Sequence, residues 1–325
     1  MSRGMLKLFA NRSGEHFAQK ISRELNVPIS KMETIDFADG ESKVIIRDTV
    51  RGCDAYLVQN CFDPNSERSI VENFFEMLQT GDALRRAGAS KVTAIMPHHP
   101  FLRQDKSSGR EPLTARLVTD LISTAGFHNV ISCELHAEQI TGFYKRTKID
   151  NLPSSRFIIN YFKKLHPELE GNLVVMAPDA GGAKRAEFYA KKLNARAAQA
   201  FKTRSTTEAN VVEELKVAGL VRGYDVLIVD DMIDTGGSIA KLVAKLWEKG
   251  VNNIAVCCTH ALLNKNAIET LKSLGVTIIG TDTITRTDEF KQQNPWYKEV
   301  SLAPLFAKAI YNMNYDKSFS ELYYE

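Results

Sequence analysis

The chain of 325 residues has little net charge of either sign: 42 lysines and arginines stand against 39 aspartates and glutamates, for a formal +3. It has no long basic run and no interleaving of basic with aromatic residues, which argues against a nucleic-acid-binding face. No apolar run reaches the length of a bilayer crossing, and Met1-Ser-Arg-Gly-Met-Leu-Lys-Leu-Phe9 enters a strand pattern at once. Neither a membrane span nor a secretory leader is expected, and the expected location is cytoplasmic. Cysteines stand at 53, 61, 133, 257 and 258, an odd number without Cys-x-x-Cys spacing. Reduced thiols suit that pattern better than disulfides or a structural zinc. No Gly-x-x-x-x-Gly-Lys-Ser/Thr run occurs, so a P-loop is excluded.

What is present is an α/β pattern. With 44% hydrophobic residues and strands alternating with helices throughout, the chain can bury one large core or two ordinary ones, and two lobes are expected. The most informative stretch is Val226-Leu-Ile-Val-Asp-Asp-Met-Ile-Asp-Thr-Gly-Gly-Ser238. A buried-type strand ends in Asp230 and Asp231, followed by a turn of Asp234, Thr235, Gly236, Gly237 and Ser238 at a helix start. Paired glycines let backbone N–H groups curl around an anion, and the helix N-terminus favours negative charge. The two carboxylates can accept from vicinal hydroxyls or meet a hydrated divalent cation. The pair therefore reads as a ribose site and the turn as a site for its 5-phosphate. The plainer alternative is a solvated turn whose hydroxyl and acidic residues cap the helix.

Residues 54–97 and 225–261 follow one order: Asp, apolar strand, polar or turn segment, amphipathic helix, Gly, strand. In the second copy Ile239, Leu242, Val243 and Leu246 share a helix face that stops at Gly250. Residues 6–14 with their helix likewise match 174–182 with theirs, and the simplest account is a duplicated α/β unit. In this alignment Asp230 and Asp231 fall opposite Gln59 and Asn60, and Asp179 falls opposite Arg12. The first half therefore lacks the acidic socket and is expected to bind another substrate or to serve assembly.

Further segments carry dense functional residue types: Phe37-Ala-Asp-Gly-Glu41, Arg103-Gln-Asp105, Leu135-His-Ala-Glu-Gln139, Pro178-Asp-Ala-Gly-Gly182 and Lys202-Thr-Arg204. On residues alone, the first reads as a hairpin turn, His136 as a structural histidine and Lys202 with Arg204 as surface cations. Taken in order with 229–238, they resemble the ribose-phosphate pyrophosphokinase family over nearly the whole chain. The resemblance implies two tandem type I phosphoribosyltransferase-like domains, each a mainly parallel sheet flanked by helices, over 1–153 and 154–303, with the helix 304–325 joining the first. It implies an enzyme that transfers the pyrophosphoryl group of ATP to O1 of ribose 5-phosphate with Mg2+, releasing AMP.

By the same resemblance, Phe37, Asp39, Glu41, Arg103, Gln104, Asp105 and His136 bind ATP. The hairpin Phe37–Glu41 reaches the site of a neighbouring subunit in a dimer-based homo-oligomer, with a hexamer as the larger form. His136 and Asp179 belong to the metal site, and Lys202 and Arg204, with His136, are the catalytic cations. Asp230, Asp231, Asp234, Thr235, Gly236, Gly237 and Ser238 hold ribose 5-phosphate. Carboxylate oxygen suits Mg2+ better than imidazole, so His136 is expected to act chiefly as a phosphate donor or through water.

Departures from the family pattern are His98 and His99 in place of aromatic residues, a short Lys106–Gly109 loop, Glu134 for Asp, and Thr203 for Arg. Thr49-Val-Arg51 and Ser318-Phe-Ser320 are the nearest matches to the elements that phosphate-activated members use. Two rivals remain on these grounds: a catalytically silent regulatory subunit of such a synthetase, and a phosphoribosyltransferase, which leaves the hairpin and Arg103–Asp105 without a task.

Overall fold

A computed structural model of the chain describes residues 3–169, 171–203 and 214–324. They divide into two compact units, Met1–Pro153 with Asp282–Thr285 and Ser301–Glu325, and Ser154–Thr281 with Arg286–Val300.

In the first unit β1 (Leu6–Ala10) passes through a tight turn into α1 (Glu15–Leu25). An antiparallel ribbon follows, β2 (Met32–Asp36) and β3 (Ser42–Ile46), with Asp36 opposite Ser42. Then come β4 (Asp54–Val58), α2 (Ile70–Arg86), β5 (Lys91–Met96), α3 (Thr114–Thr124), β6 (Asn129–Cys133) and β7 (Lys148–Leu152). The sheet order is β1-β4-β5-β6-β7, every neighbouring pair parallel. All of β4 is buried, which is why its sequence shows no alternation: a parallel sheet is covered on both faces. The start of α2 is fixed by a capping box, in which Ser69 accepts from the Glu72 N–H and Glu72 accepts from the Ser69 N–H.

The second unit runs α4 (Ser155–Leu165), β8 (Leu173–Ala177), α5 (Ala183–Lys192), β9 (Arg196–Thr203), β10 (Glu214–Ala218), β11 (Asp225–Ile233) and α6 (Gly237–Glu248). It continues with β12 (Ile254–Ala261), α7 (Ala267–Ser273), β13 (Thr277–Thr281), α8 (Asp288–Gln293) and β14 (Tyr297–Val300). Its sheet order is β10-β9-β8-β11-β12-β13-β14, antiparallel only between β9 and β10. Ile239, Leu242, Val243 and Leu246 of α6 are buried with Val226, Ile228, Val256 and Cys258. Leu227, Val229, Ala255 and Cys257 point to the other face, against Ile158, Phe162 and Tyr189. The chain then re-enters the first unit as α9 (Ala303–Asn314), whose Phe306 meets Phe17 of α1 edge-on at 5.4 Å, and the short α10 (Ser320–Tyr324).

The order β1-β4-β5-β6-β7 is repeated by β8-β11-β12-β13-β14, so the duplicated α/β architecture expected from sequence is present. The register agrees as well: Leu6 pairs with Asp54 as Leu173 pairs with Asp225. Counting from those pairs, Gln59 and Asn60 take the positions of Asp230 and Asp231, and Arg12 that of Asp179. The ribbon β2–β3 and the hairpin β9–β10 occupy the same place in chain order. β9 continues through Lys202 and Thr203, because their backbones pair with Leu215 and Glu214 of β10. All five cysteines are buried and free.

Candidate active site residues

In the second unit β11 runs past its partner β8, pairing Asp230 with Cys258 and Met232 with His260 of β12, and so carries its acids to the carboxyl end of the sheet. The Asp230 side chain is 22% exposed and that of Asp231 10%. Asp230 accepts from the Asp231 N–H at 2.9 Å, and the Arg185 guanidinium lies 3.5 Å from Asp230 and 3.9 Å from Asp231. Burial, and then the neighbouring Asp231 charge, lift the Asp230 carboxyl to about 8, with Arg185 opposing in part. A half-buried and a buried carboxylate side by side, with the Arg185 guanidinium near both, favour a further positive charge at this strand end. Arg185, in the first turn of α5, was not singled out from sequence; its signal is the run Asp179-Ala-Gly-Gly-Ala-Lys-Arg185 that opens that helix.

The turn after these acids is built as a cradle. Gly236 has φ +73°, a left-handed conformation that a side chain would strain, and a Cβ there would stand 3.4 Å from Leu271. The N-cap of α6 is Gly236, which has no side chain, so Thr235 and Ser238 flank the cap position rather than occupy it. Both are exposed, as is Gly237, and the first-turn N–H groups are directed at the same place. Asp234 is committed internally: its carboxylate accepts from Asn264 at 2.8 Å and its carbonyl from the Asn264 N–H at 2.8 Å, which ties the turn to the segment after β12. A second turn repeats the design between β8 and α5. There the exposed Asp179 accepts from the Gly182 N–H at 3.2 Å, and α5 also begins without a side-chain cap. The Lys202 backbone lies in β9. Arg204 lies outside the described residues.

In the first unit Phe37 and Glu41 close the tip of the ribbon. The Phe37 N–H donates to the Glu41 carbonyl at 2.8 Å and the Glu41 N–H to Asp39 at 3.1 Å, and the Phe37 ring is 48% exposed. Arg103 and His136 are exposed on two loops that share one small apolar cluster, formed by Leu102, Ala115, Leu135 and Ile140. Gln139 donates to Asp105 at 2.9 Å, and Gln104 accepts from the Thr114 hydroxyl. The side chains of Gln104 and Asp105 thus shape the loop that presents Arg103. His99, just before it, is buried, with Nδ1 2.9 Å from the Pro100 carbonyl and Nε2 2.6 Å from the Tyr144 hydroxyl. Nδ1 can only donate to a carbonyl, so Nε2 accepts from Tyr144 and the ring is neutral. Burial pushes its pKa down to about 4. Among the described residues no group of three or more His, Cys, Asp or Glu side chains is disposed to hold a metal.

Comparison with known proteins matches residues 6–126 to the N-terminal domain of ribose phosphate pyrophosphokinase and residues 147–298 to the phosphoribosyl transferase domain. A ribose-phosphate pyrophosphokinase of Caldanaerobacter subterraneus subsp. tengcongensis is 37% identical over 320 residues, covering 98% of each chain. One of Campylobacter jejuni subsp. jejuni is likewise 37% identical over 320 residues with 98% of each covered. The crystal structure of phosphoribosylpyrophosphate synthetase from Mycobacterium smegmatis superposes with a TM-score of 0.87 at 35% identity, over 96% of this chain and 99% of that one.

Proposed function

The chain belongs to the ribose-phosphate pyrophosphokinase family, and we propose that it carries out the reaction of that family, moving the pyrophosphoryl group of ATP to O1 of ribose 5-phosphate to give 5-phosphoribosyl 1-pyrophosphate and AMP. The observation that carries this reading is the socket after β11, a half-buried and a buried carboxylate followed by a glycine turn, in a chain matched from end to end. An end-to-end match also removes the ground for a lone phosphoribosyltransferase, which needs only the second unit.

The proposed roles follow from the chemistry of each group. The turn Thr235, Gly236, Gly237 and Ser238 takes the 5-phosphate through backbone N–H groups and two hydroxyls. Asp234 holds that turn in shape rather than touching the sugar. Asp230 and Asp231 accept from ribose hydroxyls or from the water shell of a cation. Phe37 stacks on the purine while Asp39 and Glu41 accept from its amine, and Arg103 adds a planar cation, with Gln104 and Asp105 shaping its loop. His136 donates to ATP phosphates. Lys202 and Arg204 oppose the charge that develops as O1 attacks the β-phosphorus and AMP departs.

Mg2+ fits the second unit's donor set, because Asp179, Asp230 and Asp231 offer only oxygen. Burial and then the Asp231 charge lift Asp230, and a dication would offset the second of these. When bound, the ion would neutralise charge on the phosphates. With no three-ligand cluster among the described residues, Asp179 would hold it together with water and substrate oxygens, and any metal role of His136 would run through water. Exposed Phe37, Val71 and Phe75 support assembly of copies into a dimer-based homo-oligomer.

The test is phosphorus NMR of the purified protein with ATP, ribose 5-phosphate and Mg2+. AMP and a sugar-linked pyrophosphate are expected together; ATP surviving intact would leave the silent-subunit reading in its place.

A further inference from the structure

The first unit has the same strand positions as the second but fills them differently. Where the second presents Asp230 and Asp231, the first has Gln59 and Asn60, both buried. Gln59 accepts from Asn11 and donates to Ser13, and Thr80 of α2 donates to Asn11 at 2.8 Å. Gln59 and Asn11 are thus bracketed by their own unit, while the buried Oδ1 of Asn60 has no hydrogen-bond partner among the described residues. Arg12, at the position of Asp179, leaves this bracket and turns its fork outward along α2. Its Nε donates to Glu76 at 3.2 Å, and Nη1 and Nη2 form a bidentate pair with Asp36, the latter bond at 3.0 Å.

Glu76 is the hub. Its carboxylate is completely buried, a state that needs compensating partners. It has three: Arg12, Arg68 at 3.3 Å, and the Thr34 hydroxyl at 3.2 Å. Thr34 and Asp36 are both on β2, and Asp36 directly precedes Phe37. On the opposite strand Ser42, the register partner of Asp36, exchanges hydrogen bonds with Gln79 of α2 at 3.0 and 2.8 Å. Both strands at the root of the Phe37–Glu41 tip are therefore pinned to α2, β3 through Ser42 and β2 through Thr34 on Glu76 and through Asp36, which Arg12 links closely, and Arg68 at 3.8 Å more loosely, to the same carboxylate.

We propose that Arg12, Asp36 and Glu76 form a strut that sets the pose of the Phe37–Glu41 hairpin, which makes Arg12 and Asp36 positioning residues for use of the nucleotide. The inference rests on the reading of that hairpin as an ATP contact. The bidentate pair fixes direction as well as distance, because a planar guanidinium fork holding a carboxylate leaves little freedom to rotate. Hydrogen bonds from Arg12, followed by the charges of Arg12 and Arg68, hold Asp36 below the usual carboxylate range, so the pair persists across neutral pH.

The side chains of Arg12 and Asp36 are 36% and 53% exposed, and an ion pair of that exposure adds little to stability, so Asp36→Asn should fold as the wild type does; Arg12→Met should fold with some loss of stability, Arg68 and Thr34 remaining on Glu76. The experiment measures KM for both substrates, kcat and melting temperature in the full-length enzyme for Asp36→Asn, Arg12→Met, Asp36→Glu and Phe37→Ala. Asp36→Asn and Arg12→Met should raise the KM for ATP about ten-fold, as expected for one lost charge-assisted contact acting on one ligand. The KM for ribose 5-phosphate should stay at its wild-type value in both, the melting temperature should stay so in Asp36→Asn but fall in Arg12→Met, which takes a partner from buried Glu76, and Asp36→Glu should recover most of the ATP affinity. If Phe37→Ala weakens ATP use but Asp36→Asn does not, the strut is refuted while the hairpin reading stands. If Phe37→Ala leaves the ATP KM unchanged, the hairpin reading falls and takes the strut with it. An equal rise in both KM values would mean general loosening and would likewise overturn the proposal.

Discussion

Replacing Asp230 by Asn should stabilise the ligand-free protein, by an amount that depends on pH in a way set by the socket. In the unfolded chain this carboxyl ionises near 3.8; in the folded protein burial and Asp231 raise it to about 8. The sign follows from linkage. Below 3.8 both states hold the proton and the group does not disfavour folding. From there to about 8 the unfolded state has released a proton that the folded state retains, so stability falls as pH rises. Each pH unit in that window removes about 1.4 kcal/mol, which puts the wild type about 4 kcal/mol below the Asn variant at pH 7 as an upper bound. Residual water at a side chain 22% exposed reduces this, and a gain of about 2–3 kcal/mol is the working expectation.

Scanning calorimetry in EDTA from pH 4 to pH 8.5 measures it directly. The two proteins should melt together at the acid end and separate steadily to about pH 8, where the variant should lead by about 5–10 °C for a unit of this size. Mg2+ should raise the wild-type melting temperature at pH 8, where a dication offsets the paired charge, and raise that of Asp230→Asn much less. Parallel curves in EDTA across the whole range would refute the idea that Asp230 is held under strain in the folded state.

Gly236→Ala should cost about 1–2 kcal/mol, from the left-handed φ of +73°, and should weaken ribose 5-phosphate in calorimetric titration; unchanged binding would detach the turn from the phosphate. Lys202→Ala should lower kcat by about 100-fold or more with little change in ATP affinity, since a contact made in the transition state acts on the barrier; an unaltered kcat would remove Lys202 from the chemistry. Tyr144→Phe should leave the buried Nε2 of His99 without its donor and cost about 1–3 kcal/mol in urea unfolding, and a neutral result would mean that water replaces the hydroxyl.

The socket was legible in the sequence because everything that makes it is contiguous. Strand, acids, glycine turn and helix all lie within 226–238, and hydrophobic periodicity and turn chemistry are local signals. The duplication was legible for a related reason: equal spacing from strand start to functional position survives in both copies, so register could be counted before any pairing was seen. The missed features depend on residues far apart in the chain. Arg185 acts on acids 45 positions later, and Arg12 on Glu76 64 positions later. The cluster of Leu102, Ala115, Leu135 and Ile140 that brings the Arg103 and His136 loops together has no period of its own. Even the end of β9 depended on a partner, since Lys202 and Thr203 belong to a strand only where β10 lies beside them.

The contrast between the halves is itself informative about where ligand arrives. Gln59 is wholly buried, yet its hydrogen bonds are met by Asn11 and Ser13, so the position is neutral at every physiological pH and requires nothing from outside. Asp230, at the same register position, lies beside a second carboxylate with the Arg185 guanidinium 3.5 Å away, and burial followed by the Asp231 charge displaces its ionisation to about 8. Two equivalent strand ends in one chain thus carry opposite designs. A destabilising acid pair persists where a cation and a polyhydroxylated anion would complete it, and amides serve where only protein is present. That asymmetry supports the proposal that sugar phosphate is recognised in the second copy. It also leaves Arg12, at the first copy's counterpart of Asp179, available for a different task, the holding of the Phe37 hairpin.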